Sequence, residues 1–139
     1  MTTITITKEI GAPAARVWSM LADFGNVSWI PVAGEVVVEG SGPGMRRRIP
    51  GGAGTPIVER LVSIAPDERT LRYSIDENNP LPVHRYEATA RVSPAEDGRA
   101  TICWDVSFEP AGDEAHAKQA IVAIYDLMAT WLETAATGR

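Results

Sequence analysis

At 139 residues, with 45% hydrophobic and 22% charged residues, the chain has the size and balance of one globular domain, expected to span residues 1–139 and to bury its core without staples. The net charge of −5 (13 basic, 18 acidic), with no basic run longer than Arg46–Arg48, argues against nucleic acid as a partner, since a phosphate backbone calls for a basic face. Cys103 is alone and the two histidines are far apart, so neither a disulfide, a metal site nor a cofactor is expected; with no signal pattern at Met1–Ile4 and no segment of membrane-spanning length, the expectation is a cytoplasmic chain that does not insert into membranes.

Thr2 to Ile10 alternates Ile4 and Ile6, with Lys8 in the same row, against Thr3, Thr5 and Thr7; β-branched residues at period two predict a strand with one covered face. Gly11-Ala12-Pro13 turns the chain. Val17, Trp18, Leu21 and Phe24 then fall at helical spacing, predicting a short amphipathic helix over Pro13–Ala22 with Pro13 in its first turn. A second short helical turn is expected at Val27–Ile30, ending before Pro31.

From Glu35 the pattern is a meander. Strands are predicted over 35–39, 45–49, 57–65, 70–76, 83–93 and 100–109, separated by the glycine- and proline-rich connections 40–44, 50–54, 66–68, 77–82 and 94–99. The chain ends in its most regular segment, Gly112–Thr137. Ala117, Ile121, Ile124, Tyr125, Met128, Trp131 and Leu132 draw one apolar stripe along it, Asp113 and Glu114 suit its first turn, and Gly138 follows as a stop. An amphipathic helix after a run of strands must bury its stripe against their sheet. Whether the space between is filled or hollow is then the functional question.

This order of elements resembles the helix-grip fold of the START-like, birch-allergen-like superfamily, and more narrowly its polyketide cyclase/dehydrase (SRPBCC) group. The resemblance is carried by Val17–Phe24, Trp29-Ile30-Pro31, Glu59-Arg60-Leu61, Leu71–Ile75 and Trp104–Pro110, in the family's order across nearly the whole chain. It implies an α+β fold: a seven-stranded curved antiparallel sheet around a long C-terminal helix, with two short helices after the first strand. It also implies a small hydrophobic molecule held between sheet and helix.

Glu59 is the most informative position. Strict alternation sets Ile57, Glu59, Leu61 and Ser63 on one face of the strand and Val58, Arg60, Val62 and Ile64 on the other, and both faces carry apolar residues. Periodicity leaves the choice open; the resemblance implies that Glu59 faces the ligand, as the glutamate of the same Glu-Arg-Leu sequence does in the abscisic acid receptors of that superfamily. A carboxylate in an apolar cavity is costly to ionise unless a hydrogen bond or countercharge serves it. There it could transfer a proton or accept a hydrogen bond; on the outer face it would be a solvated glutamate paired with an arginine.

By the same resemblance Tyr73, Ile75 and Tyr86 on the next two strands, and Ile121, Ile124, Tyr125 and Met128 on the helix, line the cavity, with Trp131 and Leu132 sealing its far end. The alternative for each tyrosine and for Met128 is plain core packing. The row Ile102, Trp104, Val106, Phe108 puts Trp104 inward and Asp105 outward. Arg46–Arg48 reads as solvated surface or an anion-attracting rim. The connection 50–54 lacks the Lys-Ser/Thr of a phosphate loop and matches either a hinge at the cavity entrance or an ordinary turn.

Two function classes stay open: a module that binds a hydrophobic molecule, and a cyclase-type enzyme in which Glu59 is the catalytic group and the tyrosines assist proton transfer. The weight of apolar lining favours binding. A collapsed cavity would leave a scaffold acting through its surface. A homodimer is compatible with all three readings.

Overall fold

The computed structural model describes residues 1–50 and 55–138. Seven strands form one antiparallel sheet: β1 (Thr2–Ile10), β2 (Val37–Glu39), β3 (Arg46–Ile49), β4 (Ile57–Ala65), β5 (Thr70–Glu77), β6 (Val83–Pro94) and β7 (Ala100–Pro110). Their order across the sheet is β1-β7-β6-β5-β4-β3-β2, so each strand after the first pairs with its sequence neighbour and β1 closes onto the last. Helix α1 (Ala14–Ala22) follows β1, and helix α2 (Glu114–Thr137) follows β7. This is the helix-grip arrangement.

Local chemistry explains the boundaries. Asp113 caps α2 by accepting the Ala115 N–H at 3.2 Å, and Gly138 ends it in the left-handed region at φ 73°, its N–H donating to the Thr134 carbonyl. Helix α1 starts at Ala14, with Pro13 just outside it in extended conformation. The second short helix expected at 27–30 is instead a pair of successive turns. Ile30 N–H reaches the Val27 carbonyl at 2.8 Å and Ala33 N–H the Ile30 carbonyl at 3.2 Å, while the Asn26 side chain takes the Ser28 N–H. Pro31 disfavours helical dihedrals at Ile30, and the Asn26 side chain offers the backbone a non-helical partner, so no helix propagates.

The core is built from inward rows. Ile102, Trp104, Val106 and Phe108 of β7 are almost fully buried, as are Ala88, Ala90 and Val92 of β6. Val17 and Leu21 of α1 fill the space between these strands and α2, where α1 packs against β6, β7 and α2 together. Ala117, Ile121, Tyr125, Ala129 and Leu132 form the buried stripe of α2. Lys8, in the row of Ile4 and Ile6, reaches over the sheet edge to Asp126 of α2 at 2.5 Å.

Two bulges bend the far half of the sheet. Val58 pairs with Glu77 but Glu59 with Ile75, leaving Asp76 of β5 extra; Leu61 pairs with Tyr73 but Ser63 with Arg72, leaving Val62 of β4 extra. The alternation expected for β4 therefore holds only to Leu61. Beyond Val62 the faces exchange, so exposed Ser63 points out and Ile64 packs on the core. No helix among the described residues is long and apolar enough to cross a membrane.

Replacing Asp113 by Ala removes the side chain that caps the first turn of α2; urea denaturation should show a loss of about 1 kcal/mol with an unchanged slope.

Candidate functional site

Helix α1 packs against α2, β6 and β7, and a hollow remains on the side of α2 that faces β3–β6. A cavity of about 370 Å³ lies between β3–β6 and α2, inside the size range of small-molecule sites. Its walls come from Ile49 and Ile57, Ile75, Ile124, Met128 and Trp131, and Ile30 and Val32 from the turns before β2 border it. Asn79, Pro80 and Leu81 of the β5–β6 connection border the same space, where Asn79 accepts the Leu81 N–H and fixes the loop.

Glu59, Tyr73, Ile75, Tyr86, Ile124, Tyr125 and Met128 all line this cavity. Ile121 does not. It is fully buried, one turn before the cavity-facing pair Ile124 and Tyr125, and belongs to the packed core. Trp131, expected at the sealing end, is part of the cavity wall, and Leu132 beside it is fully buried. Trp104 is buried against the ring of Tyr125, centroids 4.8 Å apart, and Asp105 faces out to accept from Thr5 at 2.7 Å. His84 sits exposed at a register shift of β6 and His116 is exposed on α2. Residues 51–54, expected as an entrance hinge or a turn, lie outside the described residues.

The sequence reading missed Arg47. The middle of the Arg46–Arg48 run points inward while its neighbours remain at the surface, and its guanidinium is almost completely buried. Nε and Nη2 both donate to Glu59 Oε1, at 2.7 and 2.6 Å; Nη1 donates to the Phe24 carbonyl at 2.8 Å, and the charged plane lies 3.8 Å from the centroid of the Phe24 ring. Alternation in β3 was the available signal: Arg47 stands directly opposite Glu59 across the β3–β4 ladder, so an inward Glu59 brings Arg47 in with it. The glutamate is thus both inward-facing and arginine-paired, which merges the two readings of it. Both guanidinium contacts go to Oε1, and Glu59 as a residue borders the cavity.

Close to this pair, between β5, β6 and α2, three phenols meet. Tyr125 of α2 holds Tyr73 of β5 at 2.6 Å, oxygen to oxygen, and makes a second short hydrogen bond to Tyr86 of β6. These are the only three tyrosines in the chain. Burial pushes all three well above the ordinary phenol value of 10.0; the Glu59 charge raises Tyr73 further, and the neighbouring phenols add to the effect on Tyr86 and Tyr125. All three are therefore neutral donors across the physiological range. The site combines an apolar volume, one neutralised ion pair and a hydroxyl cluster. It can hold an apolar molecule and hydrogen-bond its polar end. Among the described residues no group of three or more His, Cys, Asp or Glu side chains could hold a metal ion.

Comparison with known proteins points the same way. The sequence profile of the family described as polyketide cyclase / dehydrase and lipid transport matches residues 1–137. Among solved structures, the protein XoxI from Bacillus cereus is 26% identical, with 99% of this chain and 96% of that one covered and a TM-score of 0.84. An uncharacterized protein from Bacillus thuringiensis is 25% identical, covering 98% and 99%, with a TM-score of 0.85. Norcoclaurine synthase from Thalictrum flavum, 16% identical over 99% of this chain and 87% of its own, shares the fold with a TM-score of 0.75. No curated protein matches the sequence.

Two measurements test this geometry. In an alkaline titration the folded protein should show almost no tyrosinate absorbance near pH 10.0, all of it appearing with unfolding. Because the folded phenols hold their protons above the pH at which the unfolded ones lose them, stability is full below about pH 10 and falls as pH rises beyond it. Arg47→Met strands the Glu59 charge and should cost about 3–5 kcal/mol in urea denaturation, most of which Arg47→Met/Glu59→Leu should recover.

Proposed function

Since the chain belongs to the polyketide cyclase/dehydrase and lipid transport family, we propose that it binds a small hydrophobic molecule, lipid-like, aromatic or polyketide-like, in the cavity beneath α2. The observation that carries this reading is the hollow itself: about 370 Å³ walled mostly by Ile, Leu, Met and Trp side chains, beside a well-packed core. An unliganded core of that composition would gain by collapsing, since each buried methylene that finds contacts stabilises the fold by about 0.8 kcal/mol. An apolar occupant recovers those contacts.

Binding rests on the whole wall, whereas catalysis would rest on few groups. Glu59 and the three tyrosines line one cavity, and this favours a second reading, a cyclase/dehydrase-type reaction with Glu59 transferring a proton and a phenol steadying an enolate. Nothing in the second reading removes the need for the first, because the substrate would occupy the same space.

Native mass spectrometry of the purified protein, followed by solvent extraction, should reveal a co-purifying apolar compound that Met128→Trp, which fills the cavity, no longer retains. A wild-type protein that carries none, and that takes up no apolar dye Met128→Trp excludes, would sink the binding reading. With a ligand in hand, Glu59→Gln separates the classes: affinity lost at unchanged turnover marks a binding contact, while turnover lost at nearly unchanged affinity marks the enzyme.

A further inference from the structure

Residues 23–36 connect α1 to β2 without a helix or strand of their own. Their backbone hydrogen bonds are local: Asn26 N–H donates to the Asp23 carbonyl, Ile30 N–H to Val27 and Ala33 N–H to Ile30. Among the described residues, the one hydrogen bond from this stretch to the sheet runs from Arg47 Nη1 to the Phe24 carbonyl.

The first half of the stretch is fixed. Arg47 holds Phe24, and both Phe24 and Trp29 are buried in the main core. The second half is fastened more lightly. Val27, Ala33 and Ile49 make a small cluster of their own, with Ile30 and Val36 packed against it. Val37 then enters β2 opposite Arg48 of β3. Residues 30–36 therefore span two fixed points, and Gly34 between them turns through the left-handed region at φ 80°.

This span is also a thin part of the cavity wall. Ile30 and Ala33 border the cavity and, equally, a shallow surface groove of about 470 Å³, so they stand between the two spaces. Val32 lines the cavity while 61% exposed. The groove gives the span room to swing outward. The connection between β5 and β6, which borders the same cavity, is held on both sides instead. Asn78 Nδ2 donates to the Pro56 carbonyl at 2.7 Å, and Ala111 N–H reaches the Pro82 carbonyl at 2.9 Å. A segment with few outside bonds and a small apolar contact opens at lower cost than one tied across the fold.

We propose that residues 30–36 are the gate through which a ligand enters and leaves the cavity. Trp29 and β2 are its posts, the Arg47–Phe24 contact steadies the first post, and the Val27, Ala33 and Ile49 cluster is the catch. Opening releases the catch and leaves the ion pair intact. This rests on the cavity being a ligand site and adds the route into it.

The test is stopped-flow fluorescence at neutral pH with N-phenyl-1-naphthylamine, an uncharged apolar dye. Val27 is buried in the catch and is not part of the cavity wall, so Val27→Ala weakens the catch and spares the lining. It should speed uptake and release alike, by roughly tenfold, which is what the loss of a few buried methyl-sized groups corresponds to, at nearly unchanged Kd. Asn78→Gly frees the other loop while keeping its positive φ of 60° accessible, and should leave both rates nearly unchanged. In hydrogen exchange of the dye-free protein, the bonded amides of Ile30 and Ala33 should exchange before those of Leu81 and Val83. Unchanged rates in Val27→Ala, faster release without faster uptake, or an equal acceleration by Asn78→Gly overturns the inference and leaves the apolar site standing. Should the wild type take up no dye, the hydrophobic-site reading fails and the gate falls with it. If Val27→Ala does not fold, as judged by circular dichroism, the order of exchange in the wild type decides alone.

Discussion

A helix laid over a sheet with a hollow along one side of it has to be tied down beside that hollow. Tyr125 provides that tie. Its ring packs on Trp104 of β7, and its hydroxyl bonds to Tyr73 of β5 and Tyr86 of β6, so one side chain joins α2 to three strands. The tie is polar at its tip and lies at the boundary between the filled and the hollow halves of the core. An aliphatic residue there could only be held by close packing from every side, which would close the cavity. Hydroxyl-to-hydroxyl contact holds two surfaces together at a defined distance and leaves the space beside it open.

The Arg47–Glu59 pair has the same spatial logic on β3 and β4, next to the phenols. Burying two charges is costly, and a pair of apolar residues in their place would stabilise the fold as well or better. The cost is offset here by full pairing: the guanidinium meets a carboxylate, a backbone carbonyl and an aromatic face. The Phe24 carbonyl belongs to the segment that leaves α1, so the ion pair also anchors that segment to β3 and β4. One charged contact thus fixes the loop between α1 and β2, the orientation of Glu59, and the electrical neutrality of the cavity wall. The two groups are complementary: phenols that remain protonated and, next to them, a carboxylate with its charge matched.

The fold was legible in the sequence because its signals are local. The period-two threonine and isoleucine row of β1, the Gly- and Pro-marked connections and the stripe of α2 each follow from a short window, and each lies close to its expected bounds. The turns at 27–33 were misread because the contest between a helix and an Asn26-centred turn is settled by single hydrogen bonds that hydrophobic spacing does not encode. The site was legible in part. Glu59 and the tyrosines were found through resemblance to a family, whereas Arg47 was hidden inside a basic run whose composition argues for solvent. Its burial depends on which residue stands across the ladder and on a backbone carbonyl 23 residues earlier in sequence, neither of which is a property of the run. Ile121 was misplaced for the converse reason: the stripe of α2 is continuous, and helical spacing alone does not divide residues that pack from residues that line a cavity.

That division has its counterpart in the sheet. Strand β4 has to serve both halves, and a regular strand cannot, because strict alternation would carry polar Ser63 inward in line with Glu59. The extra residue at Val62 reverses the alternation, so the first half of the strand offers Ile57 and Glu59 to the cavity and the second half offers Ile64 to the core. The extra residue at Asp76 does the matching work on β5. It keeps Ile75 opposite Glu59, while the Asp76 carboxylate gathers Ser74 and Arg60 on the outer side. Bulges also increase local twist and bend the strands that carry them. The same two insertions that set which side chains face the cavity therefore also bend the strands that border it.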